Sequence, residues 1–203
     1  MKTYIHPTAV VETKHVGSGT YIGPFTYISK RVEIGKNCKI YNSSIGLPGE
    51  HPNDHVDQGG KVIIGNDVEI REYVTINTPI FGETTLVDNG CYLMAKSHVG
   101  HDAWLKERAV LHTGSIIGGH SIIGRYCYMG LNCSTHPRAV LGDYCIVGAN
   151  GVYKGESPAA IVWAGVPCKP LKVNVIGLDR HYIATNRNEL IQNAETFLEE
   201  YKK

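Results

Sequence analysis

The stretch Lys96-Ser-His-Val-Gly-His-Asp-Ala-Trp-Leu105 sets two histidines three residues apart and follows the second with an aspartate. An imidazole titrates near neutrality, so one backed by a carboxylate that fixes its tautomer and stabilises its cation is a candidate general base. His101 and Asp102 supply that pair at adjacent positions. Consecutive strand residues point to opposite faces, so these two side chains can meet only where the chain turns.

The surrounding sequence says what must hold them. Val10, Val16, Ile22, Ile28, Ile34 and Ile40 fall at steps of six, and Ile64, Ile70 and Ile76 resume the series. Val87, Leu93, Val99, Leu105, Leu111, Ile117, Ile123, Met129, Thr135, Leu141 and Val147 then continue it without a slip, Thr135 alone not being aliphatic. A second register two places earlier is small, as at Ser97, Ala103, Ser121, Cys127 and Cys145, and glycine often follows the aliphatic position, where a tight turn would use its open φ range. A helix needs a period of about 3.6 and a flat strand a period of 2. A sustained period of six fits short strands wound into a solenoid, with large and small residues sharing the core.

The motif aliphatic-Gly-x-x-small-x, as in Ile22-Gly-Pro-Phe-Thr26 and Ile123-Gly-Arg-Tyr-Cys127, resembles the hexapeptide repeat of left-handed parallel β-helix proteins. The resemblance implies an all-β solenoid with three hexads to a coil of 18 residues, and it alone supplies the handedness. On that coil His101, Gly119 and Pro137 stack at strand spacing, with His120 and His136 one residue to either side and His98 just before. Solvent-facing turns also carry polar residues for no chemical reason, and that reading stays open for His120 and His136.

The stretches Leu93 to Asp102, Gly118-Gly-His120 and Thr135-His136, with residues 71–77 (REYVTIN) and 173–178 (VNVIGL), resemble the UDP-N-acetylglucosamine O-acyltransferases of lipid A biosynthesis. The resemblance implies His101 as general base, Asp102 as its orienting carboxylate and the Gly119 N–H as oxyanion donor. It implies substrate contacts for Asn53, Asp54, His98, His120, His136, Asn174 and Arg180. It also implies a homotrimer with sites between subunits, an acyl carrier protein thioester as donor and a nucleotide sugar as acceptor. No cofactor is expected, the donor being a cosubstrate. The family's pattern is broken at Val56, Asn77, Pro137 and His181, and the C-terminal region is short.

Metal binding is not expected. Solenoid carbonic anhydrases place two zinc ligands as His-x-x-x-x-His, whereas Lys106 stands five after His101 and Glu107 five before His112. The segment Ala164-Gly-Val-Pro-Cys-Lys-Pro170 is similar to the closing stretch of acetyl-CoA-dependent hexapeptide acetyltransferases, which keeps acyl-CoA open as the donor. A non-enzymatic solenoid scaffold is the third reading, and its outward faces would be more regular than these.

The 203 residues hold one core, with 1–152 expected as the β-helix, excursions at 46–61 and 77–86, and 153–203 as an extension. Asn186 to Lys203 carries apolar residues at helical spacing with Asn186 and Glu189 placed as a capping box, which predicts a short amphipathic C-terminal α-helix. Lys plus Arg is 20 against 19 Asp plus Glu, with no basic run, so a phosphate-neutralising grip on nucleic acid is not expected. No secretory leader or integral membrane segment is apparent, and a cytoplasmic protein is expected. The six cysteines lack C-x-x-C pairs and fall mostly in the small interior register, so they are expected to be free.

Overall fold

A computed structural model describes residues 2–50, 59–181 and 186–202. The chain winds as a three-faced prism of very short strands, most of them two residues long. One coil shows the plan: Tyr92–Leu93 on the first face, His98–Val99 on the second, Trp104–Leu105 on the third. Each strand of the coils pairs in parallel with its equivalent one coil away, Leu93 with Leu111 and Val99 with Ile117; among the described residues the faces are sheets of 10, 8 and 7 strands, the tenth of the first being the antiparallel Lys169–Val173.

In each pair the second residue points inward. Ile22, Ile40, Ile70, Leu93, Leu111, Met129 and Val147 form a fully buried ladder on the first face, and the small register, Cys127 and Ser121 included, fills the corners. Removing most of one such side chain, as in Leu111→Ala, costs roughly 2–5 kcal/mol. All six cysteines are free, and only Cys168 is not buried. The parallel stacking continues past 152, through Glu156–Ser157 and Ile161–Ala164, before Lys169–Val173 folds back antiparallel on the last strand.

Two expectations about the repeat need correction. Val10 is 56% exposed, and it is Val11 that pairs with Ile28 while Ile5 pairs with Ile22. The first coil is thus one residue short of 18, which turns Val10 outward. The recurrent glycine, moreover, is not there for its φ. At Gly35, Gly118, Gly124 and Gly142 φ is ordinary, but a Cβ would lie 2.5–2.7 Å from the backbone of the next coil. The left-handed residue of each corner comes two places later and is mostly not glycine, as at Asp67, Asp102, His120 and Arg138.

The C-terminal region adds two helices, α1 (Val175–Arg180) and α2 (Arg187–Tyr201). α2 lies against the end of its own prism, where Phe197 and Tyr201 meet the Trp163 ring at 6.0 and 6.3 Å and Ala194 is buried. Asn186 stands at the N-cap position but its side chain makes no capping hydrogen bond, so the expected capping box is not formed. Among the described residues no helix is long and apolar enough to cross a membrane.

Candidate active site

His101 and Asp102 occupy the corner between the second and third faces. Asp102 takes φ +59°, and this left-handed step lets two consecutive side chains lie together. The two are joined by a 2.8 Å hydrogen bond between His101 Nδ1 and Asp102 Oδ2, with the side chains 16% and 4% exposed.

The short excursion before this coil wraps the carboxylate. The N–H groups of Ile80 and Phe81 donate to Asp102 Oδ2 at 2.9 and 3.2 Å, and the Gly82 N–H donates to Oδ1. The Asp102 N–H in turn donates to the fully buried Thr85 hydroxyl at 2.9 Å. Burial alone would raise the Asp102 pKa, but the hydrogen bonds from Ile80, His101, Phe81 and Gly82 together outweigh it and hold the carboxyl below its ordinary value. The aspartate is therefore charged at neutral pH.

Gly119 stacks on His101 one coil away. A Cβ there would stand 2.5 Å from His101 Nε2, so glycine is required for the ring to lie where it does. Among the described residues nothing accepts a hydrogen bond from the Gly119 N–H. At the next corner, between the third and first faces, three of the equivalent N–H groups are capped from the following coil. Lys36 donates to Asn66 Oδ1 at 2.8 Å, Asn66 to Asn89 Oδ1 at 2.7 Å, and Arg125 to Asp143 Oδ1 at 2.7 Å. The residue placed to cap Gly119 is Pro137, whose side chain has no acceptor. Thr135, the odd polar member of the aliphatic register, explains itself here: its hydroxyl accepts from the Gly118 N–H at 2.9 Å and bonds Ser121 Oγ at 3.1 Å, fixing the turn that presents Gly119.

Three further rings complete the cluster. His120 lies edge-on to His101 with centroids 5.2 Å apart, and its Nε2 is 3.8 Å from Asp102 Oδ2, buried and without a hydrogen-bond partner. Burial lowers its pKa, Asp102 opposing and Arg138 and His101 adding to the shift. His98 bonds Thr75 Oγ1 through Nδ1 at 2.7 Å and is likewise kept neutral, first by burial, with Glu50 opposing and His101 adding. Phe81 lies 5.7 Å from the His120 ring at 25° and 6.0 Å from His101 at 63°.

His101, Asp102 and His120 offer three donor atoms within 4.8 Å of one another, a spacing that suits a metal. Asp102, however, already accepts from three peptide N–H groups and from His101, which commits it to hydrogen bonding.

The other expected site residues are placed differently. His136 is exposed, its Nδ1 3.1 Å from the Pro137 carbonyl oxygen. Asn53 and Asp54 lie outside the described residues. Asn174 and Arg180 sit on the first face, away from His101, at a cavity of about 390 Å³ lined also by His112, Tyr128, Ile146 and Ala149. The Asn174 side chain is occupied there: Nδ2 donates to the Tyr144 carbonyl at 2.7 Å and Oδ1 accepts from the Gly177 N–H at 3.1 Å, capping α1. Within one chain these two residues do not join the His101 cluster. Sequence reading missed Thr75, Thr85, Phe81 and Arg138, and of the threonines flagged only Thr135, as a break in the aliphatic series.

A parallel β-helix whose corner sets an imidazole–carboxylate pair against an uncapped peptide N–H is a solenoid equipped for acid/base chemistry. Residues 13–45 match the family model described as bacterial transferase hexapeptide (six repeats). The chain is 28% identical to an acyl-[acyl-carrier-protein]–UDP-N-acetylglucosamine O-acyltransferase from Campylobacter concisus, over 93% of this chain and 80% of that one. It is 29% identical to the protein of that name from Burkholderia orbicola, over 72% of this chain and 57% of that one. Among solved structures, LpxA from Acinetobacter baumannii superposes with a TM-score of 0.81 at 22% identity, covering 98% of this chain and 83% of that one. UDP-N-acetylglucosamine acyltransferase from Campylobacter jejuni does so at 0.80 and 21%, covering 93% and 82%. These likenesses establish the left-handed parallel β-helix, and the sequence similarity to the first of these relatives spans most of the chain.

Proposed function

We propose that this chain is an acyltransferase that moves an acyl group from an acyl carrier protein thioester to a hydroxyl of UDP-N-acetylglucosamine. The observation that carries the proposal is the stacking of His101 on Gly119, so close that a Cβ on Gly119 would lie 2.5 Å from His101 Nε2, with the Gly119 N–H left uncapped. A base and an oxyanion donor one coil apart address the two atoms of a hydroxyl–thioester reaction that must change charge. The names and 28–29% identities of the curated relatives supply the substrates.

In the reaction, Asp102 accepts from His101 Nδ1, leaving Nε2 free to take a proton. As the sugar hydroxyl oxygen bonds to the thioester carbonyl carbon, its proton passes to Nε2. The carbonyl oxygen becomes an oxyanion and accepts from the Gly119 N–H, a preorganised donor of the kind worth about 10²–10³ in rate. The C–S bond then breaks, the imidazolium returns the proton to the departing sulfur, and an ester and a free thiol result. No enzyme-bound acyl group is needed, in keeping with the buried state of every cysteine but Cys168.

Substrate contacts are assigned in the same reading to His98 and His120 around the base, to the exposed His136, to Asn53 and Asp54, and to Arg180, exposed in the last turn of α1. Asn174 positions α1 rather than presenting a free amide. Because Arg180 and the apolar cavity lie on a different face from His101, the complete site requires a second copy of the chain, and we propose a homotrimer. Its support is the outward apolar column Leu86, Trp104, Ile122 and Val140 on the third face and Val110, Tyr128, Ile146 and Val162 on the first.

The test is to incubate the chain with UDP-N-acetylglucosamine and either acyl carrier protein thioesters or acetyl-CoA, and to identify the product by mass spectrometry. Transfer from the carrier protein thioester, abolished in His101→Ala, is the expected result. Transfer from acetyl-CoA alone replaces the donor, and full turnover in His101→Ala removes the base. A monomer by light scattering removes the trimer.

A further inference from the structure

His101 is 16% exposed on its side chain although it stands at a solvent-facing corner. Its surroundings explain this. On one side Gly49 approaches so closely that a Cβ there would lie 2.9 Å from His101 Cβ and 2.5 Å from Ile80 Cδ1. On another lies the Gly119 backbone, and on a third the His120 ring, nearly perpendicular at 88°. Phe81 meets both rings, parallel to His120 and edge-on to His101, and is itself 52% exposed.

Phe81 is no part of the prism's core, so burial of apolar area does not account for its place. Its backbone is instead fixed by the site: its own N–H and those of Ile80 and Gly82 end on Asp102, the carboxylate that orients His101. The anchor that sets the tautomer of the imidazole thus also sets where the Phe81 ring falls. An aromatic edge toward one imidazole and a face toward the other is the favoured geometry for ring pairs, so the contact fixes orientation as well as covering area.

We propose that Phe81 is a positioning residue for the transfer, holding the His101 and His120 rings at right angles and screening the base from bulk water, so that the thioester meets the sugar hydroxyl and not water. This rests on the proposed acyl transfer. The competing reaction is hydrolysis, in which a water oxygen bonds to the thioester carbonyl carbon, the C–S bond breaks, and a free acid and a thiol leave. A site that activates a hydroxyl through His101 activates water equally well unless water is kept out.

The experiment compares Phe81→Ala, Phe81→Leu and Phe81→Tyr in the full chain. Phe81→Ala is expected to lower kcat about ten- to a hundredfold, the scale on which ~1 Å of misplacement acts, with KM for UDP-N-acetylglucosamine changed far less. Its ratio of thioester hydrolysed to thioester transferred is expected to rise. Phe81→Tyr restores both, and Phe81→Leu restores the screening but less of kcat. Carbethoxylation of His101 by diethylpyrocarbonate, followed by mass spectrometry, reads the screening without any substrate, and it is expected to be several-fold faster in Phe81→Ala. An unchanged hydrolysis-to-transfer ratio or an unchanged carbethoxylation rate in Phe81→Ala overturns the proposal. Should the parent chain consume no thioester, the transfer reaction is refuted separately, and the carbethoxylation rates still decide whether Phe81 covers His101.

Discussion

Two corners of the same prism use the same backbone differently. Between the third and first faces, three turns tie their N–H to an Asn or Asp side chain of the next coil, Lys36 to Asn66, Asn66 to Asn89 and Arg125 to Asp143. Between the second and third faces, His101, Gly119 and Pro137 occupy that position, and the Gly119 N–H has no such tie. Those ties satisfy the donors they reach. The second corner leaves a donor unsatisfied beside an imidazole, at a cost of about 1–3 kcal/mol for a buried group; in the proposed transfer this is the donor that meets the developing negative charge.

Four tests sharpen or break that contrast. The largest effect is expected from Gly119→Ala, which drives a methyl group into His101 Nε2: kcat/KM should fall by about 10³, at least the loss of one oxyanion donor. Turnover near the parent level would show that the two groups do not act together. Pro137→Asn should convert the active corner into the structural kind by capping Gly119. We expect turnover to fall by roughly 10² while thermal unfolding shifts upward by the worth of one hydrogen bond, about 0.5–1.5 kcal/mol. An unchanged rate would mean that the N–H takes no part in the reaction.

Asp143→Ala, at the other corner, should do the opposite. Loss of the cap and of the 2.8 Å bond from Arg125 Nε should lower the melting temperature by about 2–4 °C, the shift that ~1 kcal/mol produces in a domain of this size, without slowing transfer. The smallest effect concerns pH. Burial depresses the pKa values of His98 and His120, so the fold favours their neutral forms. Their contribution to stability is complete above the unfolded value of about 6.5 and is lost as pH falls through it toward the lower folded values. The loss that comes with the depressed Asp102 pKa follows only below about 4. Melting curves between pH 7.5 and 5 should therefore slope less in His98→Gln and His120→Gln than in the parent.

The prism was legible because each rung repeats the same demand, an aliphatic residue inside and a small one at the corner. What escaped reading were departures from the count. The short first coil turned Val10 outward, and the letter Gly does not reveal whether φ or crowding selects it; here crowding does at Gly118 and Gly124. The meeting of His101, Asp102 and Gly119 followed from 18-residue stacking, since no insertion separates their coils. Thr75, Thr85 and Phe81 reach the same site across excursions that break the arithmetic, as in the pairing of Ile64 with Val87, so their spacing carried no signal. Asn174 fitted a motif but serves α1, because a motif match fixes position and not which partner claims the amide.

The left-handed corners carry one more implication. Phe25, Tyr73, Lys96, Arg108 and Arg138 all adopt positive φ, a conformation that asparagine and glycine tolerate far better. The coil makes the bend regardless of which side chain is attached, so long or bulky groups project from its edges at regular intervals, like labels on a rack that stands without them. Such a scaffold can change what it displays to solvent or to a neighbouring molecule one residue at a time, leaving the rungs undisturbed.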